Sequence, residues 1–378
     1  MPANTEVSLT SAMSSKTTKG RTILSKAPTR IDLSGGTIDL WPLFLFFKNP
    51  ITVNLGIDLF AETKLVESPL SPAPTEITLR SIDQNIELKL KWQSLEEDRE
   101  VPPALILHYK LLKYFYLDSK EKREGLKKHN LLIETTAKSP AGAGLGGSST
   151  LSVSLIGALA TWSRGQMKDV KTDGEKFIDV VRDVETTVIR VPAGLQDYYG
   201  AMFGGLQSLK WQIATHRRNY LPETLLPELE KRIILVYSGH SRNSGINNWA
   251  LFNGLIDQDQ SVREKFEKIN LATHELETAL NAKDWNGCAQ AIAKEWAARK
   301  TLATGITTPE MDRAIEAASK ITPLSAKICG AGGGGCFFTF VPQPSEAIRN
   351  QLTTLFKEHG MRTLPFHAVS DGLRISCE

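Results

Sequence analysis

The stretch Ser139-Pro140-Ala141-Gly142-Ala143-Gly144-Leu145-Gly146-Gly147-Ser148-Ser149-Thr150 places four glycines within six positions, with hydroxyl residues directly behind them. Leu131–Thr135 before it reads as a short strand. Leu151, Val153, Leu155, Ile156, Leu159, Ala160 and Trp162 after it give an apolar segment of helical length. Glycines permit positive φ and close backbone approach to a ligand. The free N–H groups and dipole at the helix start favour an anion. A plain turn would use the same glycines, and Ser148 and Ser149 would also serve as N-caps. The loop alone therefore leaves a phosphate site and a turn both open.

A chain of 378 residues is long for one core and fits two domains or one bilobal unit. Its 45 basic and 42 acidic residues leave a net charge of +3, which gives no argument for nucleic acid or an anionic membrane. No stretch reaches the ~18 apolar residues needed to cross a bilayer. Cys288, Cys329, Cys336 and Cys377 form no CxxC pair, so we expect reduced thiols and a cytoplasmic protein. Residues 1–20 are polar and rich in Ser and Thr, and are expected to be a disordered tail.

The folded part is predicted to begin near Arg21, with Thr22–Pro28 as a strand. Arg30–Asp39 reads as a strand that breaks at Gly35-Gly36 into a loop carrying Thr37 and Asp39. Ile51–Ile57 and Phe60–Val66 look like strands, Glu76–Leu90 like a hairpin and Pro103–Phe115 like a helix. Gly174–Arg190 has Phe177, Val180, Val181, Val184 and Val188 on one helical face, with Glu185 at its edge. Thr215–Pro227 reads as a polar connection. Arg232–Tyr237 is a strand opening the second half. Helices follow over Val262–Ala282, Asp284–Thr301, Pro309–Ser319 and Ser345–Glu358. A second glycine run, Gly330-Ala331-Gly332-Gly333-Gly334-Gly335, precedes the strand Cys336–Val341, and a last strand lies near Leu373–Ser376. Mixed hairpins and helices favour an α+β fold over a doubly wound sheet. We expect an ATP-binding domain over 21–213 and a C-terminal domain over 228–378.

Gly142, Gly144 and Gly147 formally spell the dinucleotide fingerprint. That reading wants an acid at the end of a strand about 20 residues on. The only candidate, Asp169, sits in a polar stretch with no strand before it. A P-loop needs Gly-Lys-Ser/Thr at the helix start, and Gly147-Ser148-Ser149 has no lysine. The motifs of protein kinases do not occur.

Three stretches taken together, Arg30…Asp39, Pro140…Ser149 and Gly330–Gly335, resemble the ordered motifs of the galactokinase, homoserine kinase, mevalonate kinase and phosphomevalonate kinase superfamily. The details are most like its D-glycero-D-manno-heptose 7-phosphate kinase branch, through Ser34–Asp39, Gly194–Tyr199, Phe203-Gly204-Gly205, Ser238–Arg242 and Pro365-Phe366. The resemblance implies a two-lobed α+β kinase with a mixed-sheet N-terminal lobe and a ferredoxin-like C-terminal lobe, using ATP and Mg²⁺ to phosphorylate a sugar. The anomeric hydroxyl of heptose 7-phosphate is the first acceptor, with glucuronate, fucose and galactose as alternatives. A non-catalytic nucleotide-binding protein of the same fold is the reading from a different class. The partners implied are ATP and the sugar, with no nucleic acid or membrane, in a monomer or homodimer.

By the same resemblance Pro140, Gly142, Ala143, Gly144, Leu145, Gly146, Gly147, Ser148 and Ser149 would hold ATP. Ser148 and Glu185 would ligate Mg²⁺. Asp197 would take the proton of the attacking hydroxyl, with Arg30 holding it ionised. Gly35, Gly36, Thr37, Asp39, Gly333 and Gly334 would bind the acceptor. Arg242 is the first candidate for a phosphate on the acceptor, then His240 and Arg190. Without the family, Glu185 reads as a surface salt bridge and Arg30 as a structural ion pair. Lys327 is either a nearby positive charge or a solvated lysine. His108 and His367 read as packed histidines. Relatives carry a serine where this chain has Gly147.

Overall fold

In the computed structural model the described residues are 20–69, 75–97, 99–117, 127–164, 167, 169–213, 216–240 and 248–378. Arg242 and most of the N-terminal tail lie outside them. Among the described residues the architecture is α+β, with two sheets.

The first sheet is built on two long strands, β1 (Arg21–Ser34) and β2 (Ile51–Glu67). They pair antiparallel along nearly their whole length, with register shifts between Ala27 and Thr29 and between Asp32 and Ser34. The shifts bracket the paired Thr29–Asp32 segment that carries Arg30 and Asp32, and such irregularities re-aim side chains. The first half of β2 pairs β6 (Leu206–Lys210), which carries β7 (Arg217–Tyr220) on its outer edge. Its second half pairs β5 (Leu131–Ala137). Beyond β5 lie β3 (Glu76–Ser81), parallel to it, and β4 (Ile86–Lys91).

Helices α1 (Ile106–Leu117), α2 (Gly147–Arg164), α3 (Val170–Ile189) and α4 (Gln196–Phe203) belong to this half of the chain. The apolar run after the glycine loop becomes α2, whose Val153, Leu155, Ile156 and Leu159 are fully buried with Ile23, Leu65 and Ile133 of the sheet. Asp169 caps α3 by accepting from the Lys171 N–H, a helix-start role that leaves it no strand to end.

The segment read as a polar connection is structured. It holds β7, a short 3₁₀ turn and the first residues of α5 (Leu226–Arg232). Leu221, Leu225, Leu226 and Leu229 are buried, and Pro227 sits at a helix start, where a missing N–H costs nothing.

The second sheet is antiparallel throughout, in the order β11 (Arg362–Leu364), β8 (Ile233–Tyr237), β10 (Cys336–Phe340), β9 (Ser325–Ile328). Helices α6 (Asn248–Ile256), α7 (Gln260–Ala282), α8 (Trp285–Arg299), α9 (Pro309–Ser319) and α10 (Glu346–Glu358) accompany it. The last strand, β12 (Arg374–Cys377), returns to the first sheet and pairs β1. A core of Ile31, Leu33, Val53, Leu55, Leu145, Leu276, Cys329 and Phe338 spans both sheets, so the two glycine loops meet over shared packing.

Candidate active site

The glycine loop is shaped by backbone contact. Gly144 and Gly146 have φ of 77° and 74°, in the left-handed region that favours glycine. A Cβ on Gly144 would lie 2.1 Å from the Cys329 carbonyl oxygen, and one on Gly330 would lie 2.8 Å from the Gly144 carbonyl. The Cys336 N–H donates to the Ala143 carbonyl at 2.7 Å. The two glycine runs are thus pressed backbone to backbone, and side chains would force them apart.

Gly147 opens α2. A Cβ there would stand 3.0 Å from the Ser139 hydroxyl oxygen, a tight contact with one small side chain.

Arg30 joins the loop to Asp197. Its Nη1 donates to the Gly144 carbonyl at 2.8 Å, its Nε donates to Asp197 Oδ1 at 2.9 Å, and its Nη2 lies 2.6 Å from the same oxygen. Arg30 is buried, while the Asp197 side chain keeps 23% of its exposure and so can meet a ligand. A Cβ on Gly146 would touch the Asp197 carboxylate at 3.1–3.2 Å. The candidate base therefore lies directly against the candidate phosphate loop.

Glu185 is not on the edge of its helix face. It continues the buried line of Gly174, Ile178 and Val181 and is only 3% exposed, which excludes a surface salt bridge. The Tyr198 hydroxyl donates to its Oε2 at 2.7 Å. Burial raises the Glu185 pKa, and hydrogen bonds from Ser148, Tyr198 and Ser149 oppose that rise. Among the described residues no three His, Cys, Asp or Glu cluster in a way that could hold a metal. A magnesium ion asks for less: one or two carboxylates, with phosphate oxygens and water completing its shell. Glu185 beside Ser148, with Asp197 near, fits that requirement. Tyr198, which sequence reasoning missed, fixes one oxygen of the Glu185 carboxylate; its place directly after Asp197 was the available signal.

Asp39 accepts from the Gln196 N–H at 2.9 Å, one residue before Asp197. A Cβ on Gly194 would lie 2.4 Å from Asp39 Oδ2, so that glycine is needed too. Burial pushes the Asp39 carboxyl up to about 7, the Gln196 N–H pulls it down, and the Asp197 charge adds to the rise. The Gly35–Thr37 turn lies between this carboxylate and β1.

Residues 107–205 match the N-terminal domain of the GHMP kinases, and residues 276–358 match their C-terminal domain. The chain belongs to the GHMP kinases. It is 25% identical over 347 residues to the D-glycero-alpha-D-manno-heptose 7-phosphate kinase of Campylobacter jejuni, covering 90% of this chain and 95% of that one. It is 25% identical over 342 residues to the L-fucokinase/L-fucose-1-P guanylyltransferase of Bacteroides fragilis, covering 86% of this chain and 35% of that one. Its fold resembles the crystal structure of a D-glycero-D-manno-heptose 1-phosphate kinase from Bacteroides thetaiotaomicron, with a TM-score of 0.70 at 20% identity over 94% of this chain and 98% of that one.

The remaining expected GHMP kinase residues scatter. Gly333 is exposed and donates its N–H to Ile306, and a Cβ on it would face the Gly305 carbonyl. Gly334 beside it is buried, and the contacts of Gly333 run to residues 305–306 and not to the Asp39 turn. The His240 carbonyl accepts from the Gly335 N–H at 2.9 Å, which ties it to that loop. Arg190 is exposed at the C-cap of α3.

Two expectations need correction, those for Lys327 and His367. Lys327 is no solvated lysine: it is fully buried against Asp32, with Nζ 2.7 Å from Oδ2. His367 is not packed; its side chain is 79% exposed beside Glu230, because it sits on a surface loop and not on an apolar face. His108 is buried as expected, with Nε2 2.7 Å from the Thr135 hydroxyl, and burial lowers its pKa to about 4. Cys329 and Cys336 are buried thiols; burial raises both, Cys329 to about 12, which is the opposite of activation.

Proposed function

We propose that this GHMP kinase transfers the γ-phosphoryl of Mg²⁺·ATP to a sugar hydroxyl, and that the acceptor is the anomeric hydroxyl of D-glycero-D-manno-heptose 7-phosphate. The observation that carries the reading is the Arg30 fork, which holds the Gly144 carbonyl and the Asp197 carboxylate on one buried guanidinium. Phosphoryl transfer needs a positioned acceptor oxygen, a phosphate cradle and charge neutralisation at one point.

In this reading the 140–149 loop and the start of α2 hold the ATP phosphates. Ser148 and Glu185 hold Mg²⁺, which when bound neutralises charge on the transferring phosphoryl group. Asp197 accepts the proton of the sugar hydroxyl, and Arg30 orients it. Asp39 accepts from sugar hydroxyls across the same space. The ATP-binding half covers 21–213 and the C-terminal half 228–378. Arg242, His240 and Arg190 stay candidates for the phosphate of the acceptor. The free, mostly buried cysteines fit the reducing cytoplasm that we assign as its location.

Support for the heptose acceptor is the coverage of both chains by the Campylobacter jejuni relative. The test is ADP release with heptose 7-phosphate, the unphosphorylated heptose, fucose and mevalonate side by side. The expected result is a kcat/KM for the phosphorylated heptose about 100-fold above the others, the size of one or two charge-assisted phosphate contacts. Equal turnover of the free heptose would refute the phosphate-bearing acceptor.

Asp39 gives the reading a pH signature. A carboxyl raised to about 7 is protonated below that pH and accepts from hydroxyls as an anion above it. Acceptor kcat/KM should therefore rise as pH increases through about 7, and Asp39→Asn should flatten the rise. The linked stability runs the other way. The raised pKa favours the fold fully below the unfolded value and loses that contribution as pH climbs through about 7. A wild-type profile that Asp39→Asn leaves unchanged would remove Asp39 from the acceptor site.

A further inference from the structure

Four charged side chains are buried together beneath the Gly35–Thr37 turn. Asp32 comes from β1, Lys327 from β9, and Glu295 and Arg299 from one face of α8. Asp32, Glu295 and Lys327 are 0% exposed and Arg299 is 2% exposed. Lys327 Nζ lies 2.7 Å from Asp32 Oδ2 and 3.8 Å from Glu295 Oε1. Arg299 grips Glu295 Oε1 through Nε at 2.7 Å and Nη2 at 2.5 Å. Two cations and two anions cancel.

Such a cluster is a poor way to gain stability, because desolvation offsets most of the attraction. Its geometry points elsewhere. Arg299 Nη2 also donates to the Gly36 carbonyl at 2.7 Å, and Nη1 donates to the Thr37 hydroxyl at 3.1 Å. The Gly35 N–H donates to Glu295 at 3.3 Å. A Cβ on Gly36 would stand 2.2 Å from Asp32 Oδ2, so the turn is seated directly on the cluster. Thr37 has φ of 70°, a strained value for a β-branched residue that persists only where neighbours enforce it. Two residues later the chain delivers Asp39 to the Gln196 N–H.

We propose that Arg299, braced by Glu295 over the Asp32–Lys327 pair, is a positioning residue for the acceptor. It holds the Gly36–Thr37 backbone in its strained form and thereby aims the Asp39 carboxylate. Helix α8 of the C-terminal half thus sets the acceptor site of the N-terminal half. A guanidinium suits this task because its planar fork serves a carboxylate, a carbonyl and a hydroxyl at once, which an ammonium does not. The inference rests on the reading of the Asp39 turn as the acceptor site.

The test is steady-state kinetics of full-length Arg299→Lys, with Asp39→Asn as the control for the site itself. Arg299→Lys keeps the charge facing Glu295 and loses the fork. Acceptor KM is expected to rise about 30-fold, the size of one or two lost hydrogen bonds from a charged group, with ATP KM unchanged. The double variant Glu295→Gln/Arg299→Gln removes one charge of each sign, leaves the Asp32–Lys327 pair intact and is expected to show the same selective rise. A purely structural role would lower Tm and the active fraction without moving acceptor KM. Unchanged acceptor KM in both variants, with a raised one in Asp39→Asn, would overturn the role of Arg299 alone. Unchanged acceptor KM in all three would overturn the acceptor-site reading with it.

Discussion

Asp197→Asn is expected to lower kcat about 10³-fold, within the range that a positioned general base supplies. ATP affinity should stay within about threefold, because the loop is held by Gly144, Gly146 and the Arg30 bond to the Gly144 carbonyl, all of which the variant keeps. The asparagine oxygen can still accept from Arg30 Nε, so the fork survives and only the charge and basicity are lost. Loss of the anion leaves a buried Arg30 without its full counter-charge, so a small fall in Tm should accompany the kinetic loss. Kinetics of kcat against acceptor, with ATP binding by calorimetry, separates the two effects. Turnover near wild type would show that Asp197 neither accepts the proton nor orients the hydroxyl.

The second large effect is structural. Gly144→Ala combines a φ of 77° with a Cβ 2.1 Å from the Cys329 carbonyl oxygen. The Cβ has no rotamer of its own and the oxygen it meets is backbone, so no side-chain rotation relieves the clash. A loss of about 3 kcal/mol or more is expected, together with weaker ATP binding, because the two glycine loops must separate. Gly305→Ala is the matched control. Its φ is 78°, yet nothing lies within 4 Å of the added Cβ. That variant bears only the left-handed strain, about 1 kcal/mol. Equal falls in Tm for the two would mean that the contact between the loops contributes nothing.

Much of this architecture was readable from the chain. The strand–glycine loop–helix order at 131–164 is legible, because glycine spacing and apolar periodicity are local signals. Arg30 and Asp197 were named as partners, and their side chains meet although 167 residues separate them. Lys327 was harder. An isolated lysine beside a strand carries no mark of burial until its counter-charge is known, and Asp32 lies far away in sequence. Glu295 and Arg299 escaped notice because an i,i+4 acid–base pair on a helix is the usual pattern of a solvated face. Their burial follows from α8 packing against α7 and β9 with β1 beyond, which no local pattern announces. The error at His367 has the same origin in reverse: apolar neighbours in sequence, Pro365, Phe366 and Ala368, did not make an apolar environment in space. Glu185 reads differently in the fold for a related reason. One acid among valines looked marginal on the helix face, yet a hydroxyl trio from Ser148, Tyr198 and Ser149 makes its burial possible.

The central claim is phosphoryl transfer from ATP to an anomeric sugar hydroxyl, and phosphorus NMR of the reaction itself tests it most directly. Protein, Mg²⁺, ATP and heptose 7-phosphate should give ADP and, in equal amount, a new sugar phosphate signal coupled to the anomeric proton. ADP with inorganic phosphate alone, or no acceptor-dependent change, would contradict the account.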